Sequence, residues 1–318
     1  MELLLYFHNN PDSTDTIDGI AAEIHRKREE IERDITDLVE LGLLQEIRII
    51  SFDKQKDREL QSDISRRLAS PPTEVESGMK TLQDPTGIGV LDNLLPEGYP
   101  SPSTVLVMGD PATGKTTLVL QILAEALKKG KQIVYATLDE FPSNVRSSIR
   151  LMGIDSEAEK KKLMFIDCYS FLVGVKSEEQ YSEDPQRLSD LSIVISKALS
   201  ESPDPSDVLL VFDSLTTLIQ RSGVRPSFDF LHTLVAKVRS CSANCILSLS
   251  RKAFHPAIIA AIEDKVEGVI ELKAEDTKDG LARFIRIPKM KGTTHSTSWN
   301  AYEIDSSLGL LVPQKLKT

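Results

Sequence analysis

Basic residues are in the minority in this 318-residue chain: 38 lysines and arginines stand against 48 aspartates and glutamates, a net charge of -10. That balance excludes the chain as a whole from the proteins that coat a polyanion nonspecifically, because such binding runs on neutralised phosphates. Cysteine is scarce as well. The three present, Cys168, Cys241 and Cys245, make no disulfide framework. Cys241 and Cys245 are one helical turn apart, but they run into an apolar stretch with no second ligand pair. Buried thiols in a reducing cytoplasm are expected there, not a metal site. No apolar run reaches the ~18 residues of a membrane span. The opening MELLLYFHNNPD lacks a basic start and a small-residue cleavage site, so it does not read as a signal peptide. No internal repeat is visible, which leaves one copy of each domain.

What is present falls into two textures. In residues 1–55, Ile17, Ile20, Ala21 and Ile24 keep helical spacing behind a Thr14/Asp15 start signal. Ile31, Ile35, Leu38 and Val39 repeat the pattern until Gly42 ends it, and EIRIISFD follows with strand-like β-branched residues. Short helices followed by a ribbon, carried by IAAEIHRKREEIERDITDLVELGLL, resemble a winged helix-turn-helix module, a small α+β domain. The first fifty residues hold five Lys/Arg and twelve Asp/Glu, 5 − 12 = −7. The recognition-helix position begins KREEIERD and would bring Glu29, Glu30, Glu32 and Asp34 towards phosphates. Protein contacts are therefore expected of this module in preference to DNA contacts. Residues 56–85, charge-mixed and then rich in Pro, Ser and Thr, read as a helix and linker.

From residue 86 onward apolar strands alternate with helices: TVLVMG, KTTLVLQILAEALKK, QIVYATL, a helix near 142–151, KLMFIDC, a helix near 186–199, VLLVFD, a helix near 227–240 and NCILSLS. This alternation predicts an α/β fold with a mainly parallel sheet and helices on both faces. GVIELKAED, ARFIRIPKM and SWNAYEID, at the end, read as antiparallel strands.

Gly109-Asp110-Pro111-Ala112-Thr113-Gly114-Lys115-Thr116, with Thr117 after it, fits GxxxxGK[ST] between an apolar strand and a helix, the context a phosphate-binding loop needs. Backbone N–H groups and the helix N-terminus would face phosphates, Lys115 would reach the β- and γ-phosphates of ATP, and the Thr116 hydroxyl would bind Mg²⁺. VLLVFDSL ends a strand on Asp213, where an acid can hold Mg²⁺ or its water. In QIVYATLDEFP the strand is expected to end at Leu138, with Asp139 and Glu140 just beyond it beside the phosphate loop, at the sheet edge where open α/β folds bind ligands. A carboxylate there can orient and deprotonate an attacking water.

TGIGVLDNLL, GDPATGKTT, ATLDE, VFDSLT and IPKMKGTTH occur in that order over residues 86–310. Together they resemble a KaiC-type ATPase of the RecA superfamily, similar to single-domain prokaryotic, often archaeal, members with an extra N-terminal domain. The resemblance implies a RecA-like P-loop ATPase domain over 86–318 that binds ATP and Mg²⁺. It implies Asp139 and Glu140 as paired catalytic carboxylates, and Lys115, Thr116 and Asp213 in their loop and metal roles. Lys289, Lys291 and His295 match positions that reach nucleotide bound by the neighbouring subunit of a hexameric ring. The chain departs from the pattern at several points. Ala112 replaces the usual loop glycine, and if that position needs φ > 0 the alanine costs on the order of 1 kcal/mol. Asp139 is one methylene shorter than the usual glutamate, so activity should rest on Glu140 and turnover should be slow. Lys291 stands where arginine is common and loses the bidentate fork. Of a glycine-rich turn only Gly98 remains. AFHPAIIAAIEDKVEG (253–268) contains no Ser or Thr, whereas the corresponding stretch of the family's clock protein carries autophosphorylated hydroxyls; autokinase activity is not expected.

Three functions follow as alternatives. The first is a cytoplasmic ATP-hydrolysing regulatory ring whose N-terminal module contacts a protein partner. The second is a recombinase-like, DNA-dependent ATPase, for which RSGVRPS with Arg221 and Arg225 is the only DNA loop on offer and the acidic charge is unfavourable. The third is a non-catalytic nucleotide-binding transcription regulator.

Overall fold

All six residues of TVLVMG are buried, with alternate side chains entering two different cores. Val105 and Val107 join one, Leu106 and Met108 the other. A strand apolar on both faces must lie inside a sheet covered on both sides, and the successive strands of this chain satisfy that by pairing in parallel. The computed structural model describes residues 85–278 and 280–313, with Ile20 and Lys27 before them. The chain divides into two units, Met1–Gly78 and Met79–Thr318, and the second is described here. Apart from Ile20 and Lys27, the winged-helix-like module expected at residues 1–55 lies outside the described residues, as does nearly all of the helix and linker expected at 56–85.

In chain order the elements are α1 (Gly89–Leu94), β1 (Thr104–Gly109), α2 (Lys115–Lys128), β2 (Gln132–Thr137), α3 (Pro142–Leu151), α4 (Glu157–Lys160), β3 (Leu163–Asp167), α5 (Tyr169–Leu172), β4 (Tyr181–Ser182), α6 (Leu188–Ser200), β5 (Val208–Asp213), α7 (Leu215–Ser222), α8 (Val224–Ser240), β6 (Asn244–Ser250), α9 (Pro256–Lys265), β7 (Gly268–Thr277), β8 (Gly280–Met290), β9 (Asn300–Asp305) and β10 (Gly309–Leu311). The sheet order is β10-β9-β8-β7-β1-β6-β5-β2-β3-β4. Pairings from β7 through β4 are parallel, and β7–β8, β8–β9 and β9–β10 are antiparallel. The predicted α/β fold with antiparallel closing strands is the one observed.

The two faces have separate cores. On one, Leu118, Leu123 and Leu127 of α2 and Val145 and Ile149 of α3 pack on Val105, Val107, Tyr135 and Val211. On the other, Leu191 and Ile195 of α6, Leu218 of α7 and Leu231 and Leu234 of α8 pack on Leu106, Met108, Leu210 and Phe212. Register then lines up the strand ends that matter. Gly109 of β1 pairs with Ser250 of β6 and with Leu272 of β7, and Thr137 of β2 pairs with Asp213 of β5. Gly109, Ser250, Asp213 and Thr137 thus share one edge, the C-terminal edge of the parallel strands.

The helix expected near 227–240 is longer and has a neighbour. Gly223, at φ 82°, ends α7 and starts α8, with Pro226 tolerated in the first turn. Lys289 lies on β8, but the strand stops at Met290, so Lys291 sits in the following turn and does not alternate with Lys289 on one strand.

Candidate functional site

The loop at the end of β1 is shaped by two left-handed residues. Gly114, at φ 82° and ψ 27°, caps α2, and Ala112 sits at φ 65°. The alanine does occupy a positive-φ position, with the strain this brings to a residue bearing a Cβ. At Gly109 a Cβ would lie 2.7 Å from the Leu272 carbonyl oxygen and 2.8 Å from Thr113 Oγ1, so only glycine leaves room for β7 and the loop to pack this closely. Asp110 is the hub of the loop. Its carbonyl accepts Thr113 Oγ1 at 2.7 Å and Lys115 Nζ at 3.0 Å. Its carboxylate pairs with Lys252 Nζ at 2.9 Å and accepts the Lys252 N–H at 3.2 Å. Pro111 and Thr116 are exposed, Thr117 is half-buried and Thr113 is fully buried.

Around the loop the acids converge. Asp213, buried at the end of β5, accepts the Tyr135 hydroxyl at Oδ2 (2.8 Å) and the Ser248 hydroxyl at Oδ1. Burial raises its pKa, the two hydroxyls work against that, and Lys115 also lowers it. Burial lowers the pKa of Lys115, and the fields of Asp110, Asp213 and Asp139 oppose the loss of its proton. Glu140 is half-buried; burial, and then the charges of Asp213 and Asp139, push its carboxyl above the usual glutamate range. Asp139 is exposed and accepts the Thr217 hydroxyl from the first turn of α7. So Lys115, Asp213, Asp139 and Glu140 form one electrostatic cluster at the sheet edge.

Lys289, Lys291 and His295 do not join it. Lys289 is level with Val269, which is itself level with Leu106, three residues before Gly109 along β1. That is roughly 10 Å back from the loop at strand rise. Lys289 Nζ donates to the Glu263 carbonyl at 2.6 Å; burial and the charge of Lys291 lower its pKa. The Lys291 side chain is exposed while its N–H reaches the Glu267 carbonyl at 3.0 Å. His295 Nδ1 lies 3.2 Å from the Thr293 carbonyl, and the next residue, Ser296, donates to Leu94. The segment therefore runs along the N-terminal edge of β1, away from this chain's own loop.

Several neighbours of the loop carry no sequence signal. Arg283 Nε of β8 donates to the Ala112 carbonyl at 3.0 Å, and the Tyr302 hydroxyl of β9 donates to the Thr113 carbonyl. Ile304 covers Gly114, and Gln121 Nε2 of α2 donates to the Leu308 carbonyl while its Oε1 accepts the Leu310 N–H. Alternation in SWNAYEID puts Tyr302 and Ile304 on one face, but nothing local says that this face meets a loop 189 residues away. Beside them Glu271, buried on β7, receives Arg286 Nε at 2.6 Å and pairs with Arg251 at 2.8 Å. No helix among the described residues is long and apolar enough to cross a membrane.

A family model described as "ATPase: KaiC" matches residues 84–316. The UPF0273 protein of Methanopyrus kandleri is 30% identical over 239 residues, which are 73% of this chain and 92% of that protein. The UPF0273 protein of Pyrococcus horikoshii is 29% identical over 235 residues, 73% and 94% of the two chains. In three dimensions the domain resembles the crystal structure of a KaiC-like protein from Pyrococcus horikoshii, with a TM-score of 0.60, 24% identity, and coverage of 74% of this chain and 100% of that one.

Proposed function

The chain belongs to the KaiC family of ATPases, and from that premise we propose that it binds Mg·ATP on residues 109–117, hydrolyses it slowly, and works as a homo-oligomeric ring. The observation that carries this reading is the meeting of a lysine, a loop of left-handed residues and three carboxylates at one sheet edge. Loop N–H groups and the N-terminus of α2 favour phosphate oxygens, and Lys115 can leave the Asp110 carbonyl for them. The donor set suits a hard cation, with the Thr116 hydroxyl and the Asp213 carboxylate both offering oxygen. Asp213 already accepts two hydroxyls, which suits holding the cation's water. When bound, Mg²⁺ would neutralise charge on the phosphate oxygens.

Glu140 is assigned as the base. Its raised pKa makes it a better proton acceptor than an ordinary carboxylate. Asp139 is shorter and already engaged by Thr217, which supports one working base and slow turnover. Lys289, Lys291 and His295 lie away from their own loop, which supports their serving a neighbouring copy. The net charge favours a protein partner over nucleic acid. The test is the pair Glu140→Gln and Asp139→Asn. Glu140→Gln should keep ATP affinity and lower kcat by roughly 10²–10⁴, and Asp139→Asn should cost far less. A reversal of the two effects overturns the assignment of the base.

A further inference from the structure

A phosphate-binding concavity works when successive N–H groups point inward, which requires the matching carbonyls to point outward. An outward carbonyl that faces the protein body needs a donor there, and an exposed one is held in place only if a side chain takes the role water would otherwise fill. Here three carbonyls of the loop have named donors. Asp110 is served from within the loop by Thr113 and Lys115. Ala112 and Thr113 are served from outside it, by Arg283 of β8 and Tyr302 of β9. The outside donors fall on the residue held at φ 65° and on the next one. Tyr302 is 3% exposed, so its hydroxyl is directed inside the protein and not at solvent. Ile304, two residues on, closes over Gly114, the second left-handed residue.

We propose that Arg283 and Tyr302 are positioning residues for the phosphate site: they pin the Ala112 and Thr113 carbonyls outward and hold the loop in its phosphate-binding form despite alanine at a left-handed position. The pins let this chain keep the loop with a Cβ-bearing residue at φ 65°. They also make the antiparallel extension part of the nucleotide site. The inference rests on the nucleotide-binding reading above but makes a separate claim about the empty loop.

The test uses the full chain with Tyr302→Phe, which keeps the ring and removes the donor, and Arg283→Met, which keeps much of the stem. Two readouts are taken well below the melting temperature. The first is hydrogen exchange of the loop amides in nucleotide-free protein, and the second is affinity for ATP, ADP and inorganic pyrophosphate. Loss of the Tyr302 hydrogen bond to the buried Thr113 carbonyl should weaken all three ligands by roughly five- to tenfold, and loss of the exposed Arg283 bond to the Ala112 carbonyl by roughly two- to threefold. Exchange should quicken at 112–115 and stay unchanged in β5 and β6. Pyrophosphate separates pinning from contact with the base: if Arg283 mattered only to the nucleoside, pyrophosphate binding would not change, and the Arg283 pin would fall. If both variants keep loop exchange and all three affinities within twofold of the parent, the proposal is wrong. Should the parent bind neither nucleotide nor pyrophosphate, the nucleotide reading fails, while the exchange measurement still decides whether the pins hold the loop.

Discussion

Replacing Gly114 with alanine separates two costs that the structure supplies independently. The first is conformational. At φ 82° a Cβ approaches the following carbonyl oxygen, at about 1–2 kcal/mol. The second is steric. The new Cβ would lie 2.5 Å from Ile304 Cδ1 and 3.4 Å from its Cγ1, and 3.8 Å from Leu310 Cδ1. Ile304 must shift or repack to clear it, so relief of the overlap should cost about 1–3 kcal/mol. Together Gly114→Ala should lose about 2–5 kcal/mol by these terms. Ile304→Val removes the colliding Cδ1 and alone should cost about 0.5–1.5 kcal/mol. In the double variant the overlap is gone and the φ strain remains. Urea unfolding of all four proteins should therefore show the pair less destabilised than the sum of the singles by about 1–3 kcal/mol. Additivity within ~0.5 kcal/mol would refute the contact of β9 with the loop. Complete rescue by Ile304→Val would refute the left-handed strain.

Glu140 carries a pKa raised by burial and by Asp213 and Asp139, and a base works only when ionised. Hydrolysis should thus be present above that pKa and be lost as pH falls through it, with the acid limb of kcat/KM above the ordinary glutamate range; Asp139→Asn should move the limb to lower pH, and a limb that stays put would contradict the shared field. Mixing Glu140→Gln with Lys291→Ala, each weak alone, should restore activity in roughly a quarter of interfaces if one subunit completes the next; exchange of subunits without recovery would rule out Lys291 acting across the interface.

The parallel half of the fold was legible because its central strands are buried on both faces. VLLVF and IVYA are unbroken apolar runs, and the helix at Pro142–Leu151 begins at a proline, as a helix start should. The loop, its lysine and the three acids Asp139, Glu140 and Asp213 were legible for a similar reason: strand, turn and helix follow one another within a few residues. Three things were not. The six-residue α1 and three-residue β10 are too short for periodicity to register. The break at Gly223 between α7 and α8 is set by a backbone angle, which apolar spacing does not encode. The grip of Arg283, Tyr302 and Ile304 on the loop joins residues 171 and 189 positions apart, and only the sheet order brings them together. Ala112 lay between these cases: the motif marked it as unusual, and the fold supplies the positive φ.

That sheet order also sets a timetable. β1 is made first among the described strands, yet its two neighbours, β6 and β7, start at Asn244 and Gly268. From Thr104 to Asn244 is 140 positions, roughly 7–28 s of synthesis at ~5–20 residues per second. Through that interval the central strand has neither flank, and the loop it carries lacks the β8 and β9 side chains that hold it. A nascent chain can display GDPATGKTT long before it can use it. On the proposal above, the phosphate site is completed only when β8 and β9 are made, so a product truncated before them would keep the signature of an ATPase and lack the grip on phosphate.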